Sequence, residues 1–231
     1  MAALTALLPV VLANNQTTSS IATNSQSTTA ENNAPSSFIE FNGSDQYMMI
    51  PHHADFNITT TESFTVSCWV KRNVLEADTR FVVKRVKNNA TIKSGYELWG
   101  NGISSQFFAV NSPNNTGDHN NSVSVYSNIP GYAGEWHHIA FVIDRTAGIM
   151  YEYHNGTAVA NSGIKPIAPW ECTNTYDVLV GAGFSEEDTP NYFLNGAIGG
   201  LHFYKRALSA EEITADATAE VGPETDGLVA A

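Results

Sequence analysis

The chain has 231 residues, and 11 Lys plus Arg against 23 Asp plus Glu leave a formal charge of −12. That balance disfavours a nucleic-acid backbone or an anionic membrane surface as partner, because either contact needs a basic patch. Two cysteines exclude a disulfide-dense scaffold and a zinc site built mainly on thiolates.

Residues 1–13 are apolar, with Leu4, Leu7, Leu8, Val10, Val11 and Leu12 exposed to whatever covers them and Pro9 interrupting any helix. The segment is too short for a membrane span, which takes about 20 residues. Three readings stand: a trimmed export segment, a strand tucked into its own domain, or an arm added as a strand to another subunit. The expectation carried forward is a retained arm that docks on another copy of the chain or on a surface protein. Residues 14–36 are rich in Asn, Ser and Thr and read as a linker. Fully extended it spans ~70 Å.

From residue 37 short alternating runs are separated by Gly, Asn and Pro turns. Strands are expected at 37–41, 47–50, 64–71, 80–84, 96–99, 106–110, 122–126, 136–144, 149–154, 157–160, 176–180 and 197–204. So many strands exceed one flat sheet, and two packed antiparallel sheets are the economical solution. Asn155-Gly156 marks a tight hairpin. The one convincing helix spans 210–217, with Ser209 as N-cap and Glu212 three positions on, a capping box. Residues 218–231 read as a polar, acidic tail. The fold class is all-β, a two-sheet jelly-roll sandwich over 37–217 with one short C-terminal helix.

Cys68 alternates with Phe64, Val66 and Val70 on one strand face, and Cys172 follows Trp170 in a Pro-rich loop. A Cys68–Cys172 bridge would close a long loop and contribute about 4 to 5 kcal/mol in the chain-entropy account. Two separate buried thiols are the alternative. Asn-x-Ser/Thr sequons stand at Asn15, Asn42, Asn57, Asn89, Asn114, Asn120 and Asn155, and are glycosylation candidates for a chain that passes through a glycosylating compartment.

Three stretches carry a resemblance. Phe38-Ile-Glu-Phe-Asn-Gly-Ser-Asp-Gln-Tyr with Phe64-Thr-Val-Ser-Cys-Trp-Val resembles the opening of the laminin-G-like, concanavalin-A-like jelly rolls. Gly134-Glu-Trp-His-His-Ile-Ala-Phe-Val-Ile-Asp with Tyr151-Glu-Tyr-His-Asn-Gly resembles their central hairpin, and Asn195-Gly-Ala-Ile-Gly-Gly-Leu-His-Phe-Tyr their closing strand. The resemblance implies an extracellular or surface setting and covers sugar-binding modules, adhesion domains, parts of secreted enzymes and virion proteins, so function has to come from a site.

Glycoside hydrolases of this fold set carboxylates at alternate positions of one strand, so that both face one glycosidic bond. No stretch here repeats that pattern, and no catalytic residue is expected. Related domains hold a structural Ca²⁺ with acidic residues in the closing strand, where this chain has Gly199 and Gly200. Calcium, which takes hard oxygen ligands, is therefore not favoured, with Asp45 and Asp188 as weak candidates and no other cofactor expected. His137 and His138 are adjacent strand residues pointing to opposite faces, so they cannot share one ion.

Loop aromatics beside Asn and Gly are the best lead to a ligand, since sugars stack their C–H faces on rings and bond to nearby polar groups. The candidates are Trp99, Asn101, Trp170 and Tyr192. The expected function is a non-catalytic extracellular or surface protein that acts in adhesion or glycan recognition and assembles through its N-terminal arm. The alternatives are a structural subunit of a filament, surface layer or virus particle without a glycan ligand, and a secreted glycoside-hydrolase-related protein.

Overall fold

The computed structural model describes residues 11–13, 22–23, 35, 37–75, 78–85, 93–102, 104–112, 122–128, 133–163, 172–184, 189–218 and 228–230. Its strands are β1 (Val11–Ala13), β2 (Ala22–Thr23), β3 (Ser37–Asn42), β4 (Tyr47–Ile50), β5 (Phe64–Arg72), β6 (Thr79–Arg85), β7 (Lys93–Asn101), β8 (Ser104–Ser112) and β9 (Ser122–Asn128). They continue with β10 (Trp136–Asp144), β11 (Ile149–His154), β12 (Thr157–Gly163), β13 (Val178–Val180), β14 (Gly183–Phe184), β15 (Pro190–Asn191) and β16 (Asn195–Tyr204). Helix α1 (Ala210–Asp216) and strand β17 (Leu228–Ala230) follow.

The strands form a seven-stranded sheet ordered β1-β4-β13-β6-β7-β8-β9 and an eight-stranded sheet containing β12-β11-β10-β5-β16-β3-β2, with β17 also paired to β16. All the pairings are antiparallel. Alternation decides which side chains meet between the sheets. Val66, Cys68 and Val70 of β5 and Ile139, Phe141 and Ile143 of β10 pack against Tyr96 and Leu98 of β7 in one buried cluster. The alternate positions of the eight-stranded sheet face outward, where Ala140, Val142, Tyr153 and Tyr204 meet Leu208 and Ile213 under α1.

The capping box is present. Ser209 Oγ accepts from Glu212 N at 3.2 Å, and Ser209 N donates to Glu212 Oε2 at 2.8 Å. Asp216, in the last turn, is buried on the sheet and accepts from Ser67 Oγ at 2.5 Å. His202 Nδ1 lies 2.8 Å and His138 Nε2 3.3 Å from its two carboxylate oxygens. Burial opposes its ionisation, yet the bonds from His138, His202 and Ser67 hold its carboxyl well below the usual carboxylate range.

Two expectations are corrected, the disulfide and the start of the strand at 176–180. Cys68 and Cys172 form no disulfide; both side chains are buried, Cys68 in the inter-sheet core and Cys172 in an isolated bridge to Ile58. In the single chain Val11–Ala13 pairs with Tyr47, Met48 and Met49 of its own β4, and Leu4, Leu7, Leu8 and Val10 lie outside the described residues. The run expected at 176–180 starts as a strand only at Val178. The two preceding residues are drawn off by other partners: Tyr176 O accepts from Lys84 Nζ at 2.8 Å and Asp177 Oδ1 accepts from His52 N at 2.9 Å.

Candidate functional site

The outward face of the seven-stranded sheet gathers three of the four aromatic-loop candidates around a residue the sequence did not single out. In β7, Tyr96 and Leu98 point into the core, so Glu97 and Trp99 point out. Register pairs Trp99 with Arg80 of β6 and with Gln106 of β8, and Gln106 with Tyr126 of β9. One cross-strand row therefore runs Arg80, Trp99, Gln106, Tyr126, and Tyr126 at its far end is 67% exposed.

Arg80 holds the site together. Its guanidinium carbon lies 4.7 Å from the Trp99 ring centroid and 4.5 Å from that of Tyr192, a cation–π sandwich that neither ring makes alone. Arg80 Nε donates to Glu97 Oε2 at 3.2 Å, and Arg85 Nη1 donates to Glu97 Oε1 at 3.0 Å. Glu97 thus spends both carboxylate oxygens on guanidinium groups. It orients Arg80.

Tyr192 is delivered by the β15 side of a small hairpin. Its carbonyl accepts from Arg80 N at 3.1 Å and its N–H donates to Asn191 Oδ1 at 2.8 Å. Its φ is +56°, in the left-handed region that non-glycine residues seldom adopt. Asp78, at φ +53°, borders the other side, where its Oδ1 accepts from Asn101 Nδ2 at 3.4 Å. Backbone held in such conformations clusters at ligand clamps, because the surroundings must over-determine it. Gly183 gives the close approach: a Cβ there would stand 2.7 Å from Arg80 Cγ.

Two donors remain without partners. Arg80 Nη1 and Trp99 Nε1 are buried and make no hydrogen bond. Unsatisfied buried N–H groups are costly and uncommon in folded proteins, and here both belong to one cation–π contact. The arrangement suits oxygen acceptors brought by a ligand whose apolar faces lie on the rings.

Of the residues expected to bind, Trp99, Asn101 and Tyr192 come together, while Trp170 lies outside the described residues. Sequence reading missed Arg80, Glu97, Asp78 and Tyr126. Alternation in β7 would have found Glu97 beside Trp99; Arg80 was hidden by a bulge between Arg80 and Val82 that breaks the alternation of β6.

The remaining candidates lie elsewhere. Asp45 closes the β3–β4 turn, where its Oδ1 accepts from Asn42 Nδ2 at 2.8 Å and Asn42 Oδ1 accepts from the backbone N–H groups of Ser44, Asp45 and Gln46. Asp188 lies outside the described residues. Among the described residues no three His, Cys, Asp or Glu side chains stand close enough to hold a metal ion. Gly199 and Gly200 answer to packing: a Cβ on Gly199 would stand 2.4 Å from Ser37 O, and Gly200, at φ +50°, sits in the β16 bulge. Of the sequon asparagines, Asn42, Asn57 and Asn155 are described and their side-chain oxygens are engaged, Asn57 by Asn174 N and Asn155 by His138 N. Asn15, Asn89, Asn114 and Asn120 lie outside the described residues.

A family model described as the concanavalin A-like lectin/glucanases superfamily matches residues 42–214. A comparison with curated proteins finds no match. Among solved structures, the botulinum neurotoxin serotype G binding domain aligns with a TM-score of 0.59 at 15% identity, covering 90% of this chain and 44% of that one. The serotype D ligand binding domain in complex with N-acetylneuraminic acid aligns at 0.61 and 16%, covering 91% and 45%. The binding domain of paraclostridial mosquitocidal protein 1 aligns at 0.55 and 14%, covering 78% and 42%. The chain therefore spans less than half the length of these domains, and at such identities the likeness is one of fold.

Proposed function

The chain belongs to the concanavalin A-like lectin/glucanase superfamily, and from that premise we propose that it is a non-catalytic glycan-recognition module, acting at an extracellular or cell surface through the Arg80–Trp99–Tyr192 site. The observation that carries the reading is the pair of buried, unpartnered donors, Arg80 Nη1 and Trp99 Nε1, set between aromatic rings on the outward sheet face.

A pyranose offers what this site lacks. Its hydroxyl or carboxylate oxygens accept from the two N–H groups, and its C–H face lies on an aromatic ring. Tyr126 extends the row toward a second sugar, and Asn101 lines its rim. Glu97 holds the guanidinium in place before any ligand arrives, so little ordering entropy is lost on binding. A glycosidase reading would require a second carboxylate across the scissile bond from an unencumbered first one, and Glu97 has both oxygens in ion pairs. The neighbouring fold found with N-acetylneuraminic acid makes acidic sugars a sensible first probe. Extracellular adhesion follows as the role of such a module.

The test is binding of the full chain to an array of neutral and sialylated oligosaccharides, with calorimetry on any hit. Trp99→Ala and Tyr192→Ala are each expected to weaken binding at least tenfold while leaving circular dichroism unchanged. Absence of binding to every glycan, or equal binding by both variants, overturns the reading. Release of reducing ends from a bound glycan overturns the non-catalytic part of it.

A further inference from the structure

Asparagine followed by glycine occurs four times in the chain, at Asn42-Gly43, Asn101-Gly102, Asn155-Gly156 and Asn195-Gly196. The step is chemically labile, because a residue without a Cβ lets its backbone nitrogen approach the preceding side-chain carbonyl carbon. All four contexts invite that reaction. The fold treats them differently.

Three of them are locked. Asn42 Oδ1 accepts from the N–H groups of Ser44, Asp45 and Gln46 while its Nδ2 donates to Asp45 Oδ1 at 2.8 Å, so both ends of the amide are held. Gly43 is pressed against Asn195, whose Cβ is 2.6 Å from where a Cβ of its own would stand. Asn155 Oδ1 accepts from His138 N and its N donates to His138 O, each at 2.8 Å. Gly156 O accepts from Thr214 Oγ1 of α1 at 3.1 Å. Asn195 Oδ1 accepts from Asn73 Nδ2 at 3.1 Å, and its carbonyl accepts from Asn73 N at 2.8 Å. Gly196 is buried in β16 between Phe41 of β3 and Arg72 of β5.

Asn101 is the exception. It is exposed at the turn that joins β7 to β8. Among the described residues its amide is held by the 3.4 Å contact from Nδ2 to Asp78 Oδ1. Gly102 has φ +57° and nothing within 4 Å of the place a Cβ would take. Cyclisation swings the side chain against the following peptide, and open space around Gly102 leaves that movement unopposed.

We propose that Asn101 is a site of spontaneous deamidation, and that its conversion opens the Asp78–Asn101 clasp at the rim of the Arg80–Trp99–Tyr192 site. The Gly102 nitrogen attacks Asn101 Cγ, and a five-membered succinimide closes as the Cγ–Nδ2 bond breaks. The leaving nitrogen takes the proton given up by the Gly102 N–H and departs as ammonia. Water then adds to one of the two imide carbonyls, and the ring opens to aspartate or isoaspartate at position 101. Either product replaces the N–H donor that faces Asp78 with a carboxylate, so a hydrogen bond becomes a like-charge contact. Isoaspartate also lengthens the backbone by one carbon at the end of β7, two residues beyond Trp99. Asp78 stands at φ +53°, two residues before Arg80, so repulsion at the rim acts on the segment that delivers the guanidinium.

The full chain is warmed at pH 8, folded in buffer or unfolded in guanidinium chloride, and its peptides are followed by mass spectrometry with isoaspartyl methyltransferase labelling. The folded chain is expected to convert Asn101 at least tenfold faster than Asn42, Asn155 and Asn195, while unfolding brings all four to similar rates. An Asn101 that stays intact in the folded chain, or converts no faster than the other three, overturns the modification site. The clasp is tested with Asn101→Asp, which carries the charge without waiting for the reaction. Amide hydrogen exchange around Thr79 and Gly100 is expected to be severalfold faster in this variant, and Asp78→Asn in the same chain to restore the native rate. Native exchange in Asn101→Asp, or a change that Asp78→Asn fails to reverse, overturns the clasp. Glycan binding by Asn101→Asp, an expectation that rests on the function proposed above, should be severalfold weaker than native. A native chain that binds no glycan overturns that function, while the peptide masses and exchange rates still decide the modification and the clasp.

Discussion

Lys84 shows how a charged side chain is accommodated in this interior. It has no exposed surface, and its Nζ reaches Tyr176 O at 2.8 Å, Asn174 Oδ1 at 3.0 Å, Asn174 O at 3.3 Å and His52 Nδ1 at 3.1 Å. The ammonium thereby pins the segment after Cys172 to the sheet. Burial takes its pKa down from 10.5 to about 8, partly offset by Asp177. Between those values the unfolded chain holds a proton that the folded chain has released, so this residue makes stability rise with pH across pH 8 to 10.5. Lys84→Met keeps the stem and strands the oxygens. It is expected to cost about 2 kcal/mol in urea unfolding at pH 7 and to remove the rise that native protein shows, relative to the variant, above pH 8. A variant as stable as native, with an unchanged alkaline slope, would remove Lys84 from this account.

Helix α1 has seven residues, too few to persist alone. It stays folded because both ends are tied down. The capping box and a bidentate Arg206–Glu212 pair at 2.8 Å hold its start, while Asp216 anchors its end between His138, His202 and Ser67. The two ends differ in cost. Ser209→Ala removes an exposed cap and is expected to destabilise by about 1 kcal/mol. Asp216→Ala leaves buried imidazole and hydroxyl groups unpaired and is expected to cost about 3 kcal/mol. Denaturation midpoints decide it: equal shifts for the two variants would show that the buried anchor does no more than the surface cap.

Across the whole molecule, the N-terminal segment covers sheet edges. β1 lies along β4 at the edge of one sheet and β2 along β3 at the edge of the other. An uncovered edge is a template for association. Removing residues 1–13 is therefore expected to leave far-UV circular dichroism unchanged and to increase light scattering at raised concentration, because the β4 backbone is opened. Should the truncated chain stay dispersed while the intact chain forms defined assemblies, the segment acts between copies instead of within one.

Much of this was legible in the residues. Alternation located the inner series of β5 and β10, Asn155-Gly156 marked its hairpin, and Ser209 with Glu212 placed the helix start, because each depends on neighbours within a few positions. Trp99, Asn101 and Tyr192 were visible as loop aromatics and an adjacent amide. Their meeting on Arg80 was not, since it joins strands far apart in sequence and passes through a bulge that erases the alternation of β6. Local periodicity determined the strands, the helix and the two-sheet class. Only the pairing order and register decided which side chains face one another across a sheet or between sheets, because those contacts are set by long-range packing that no short stretch of chain contains.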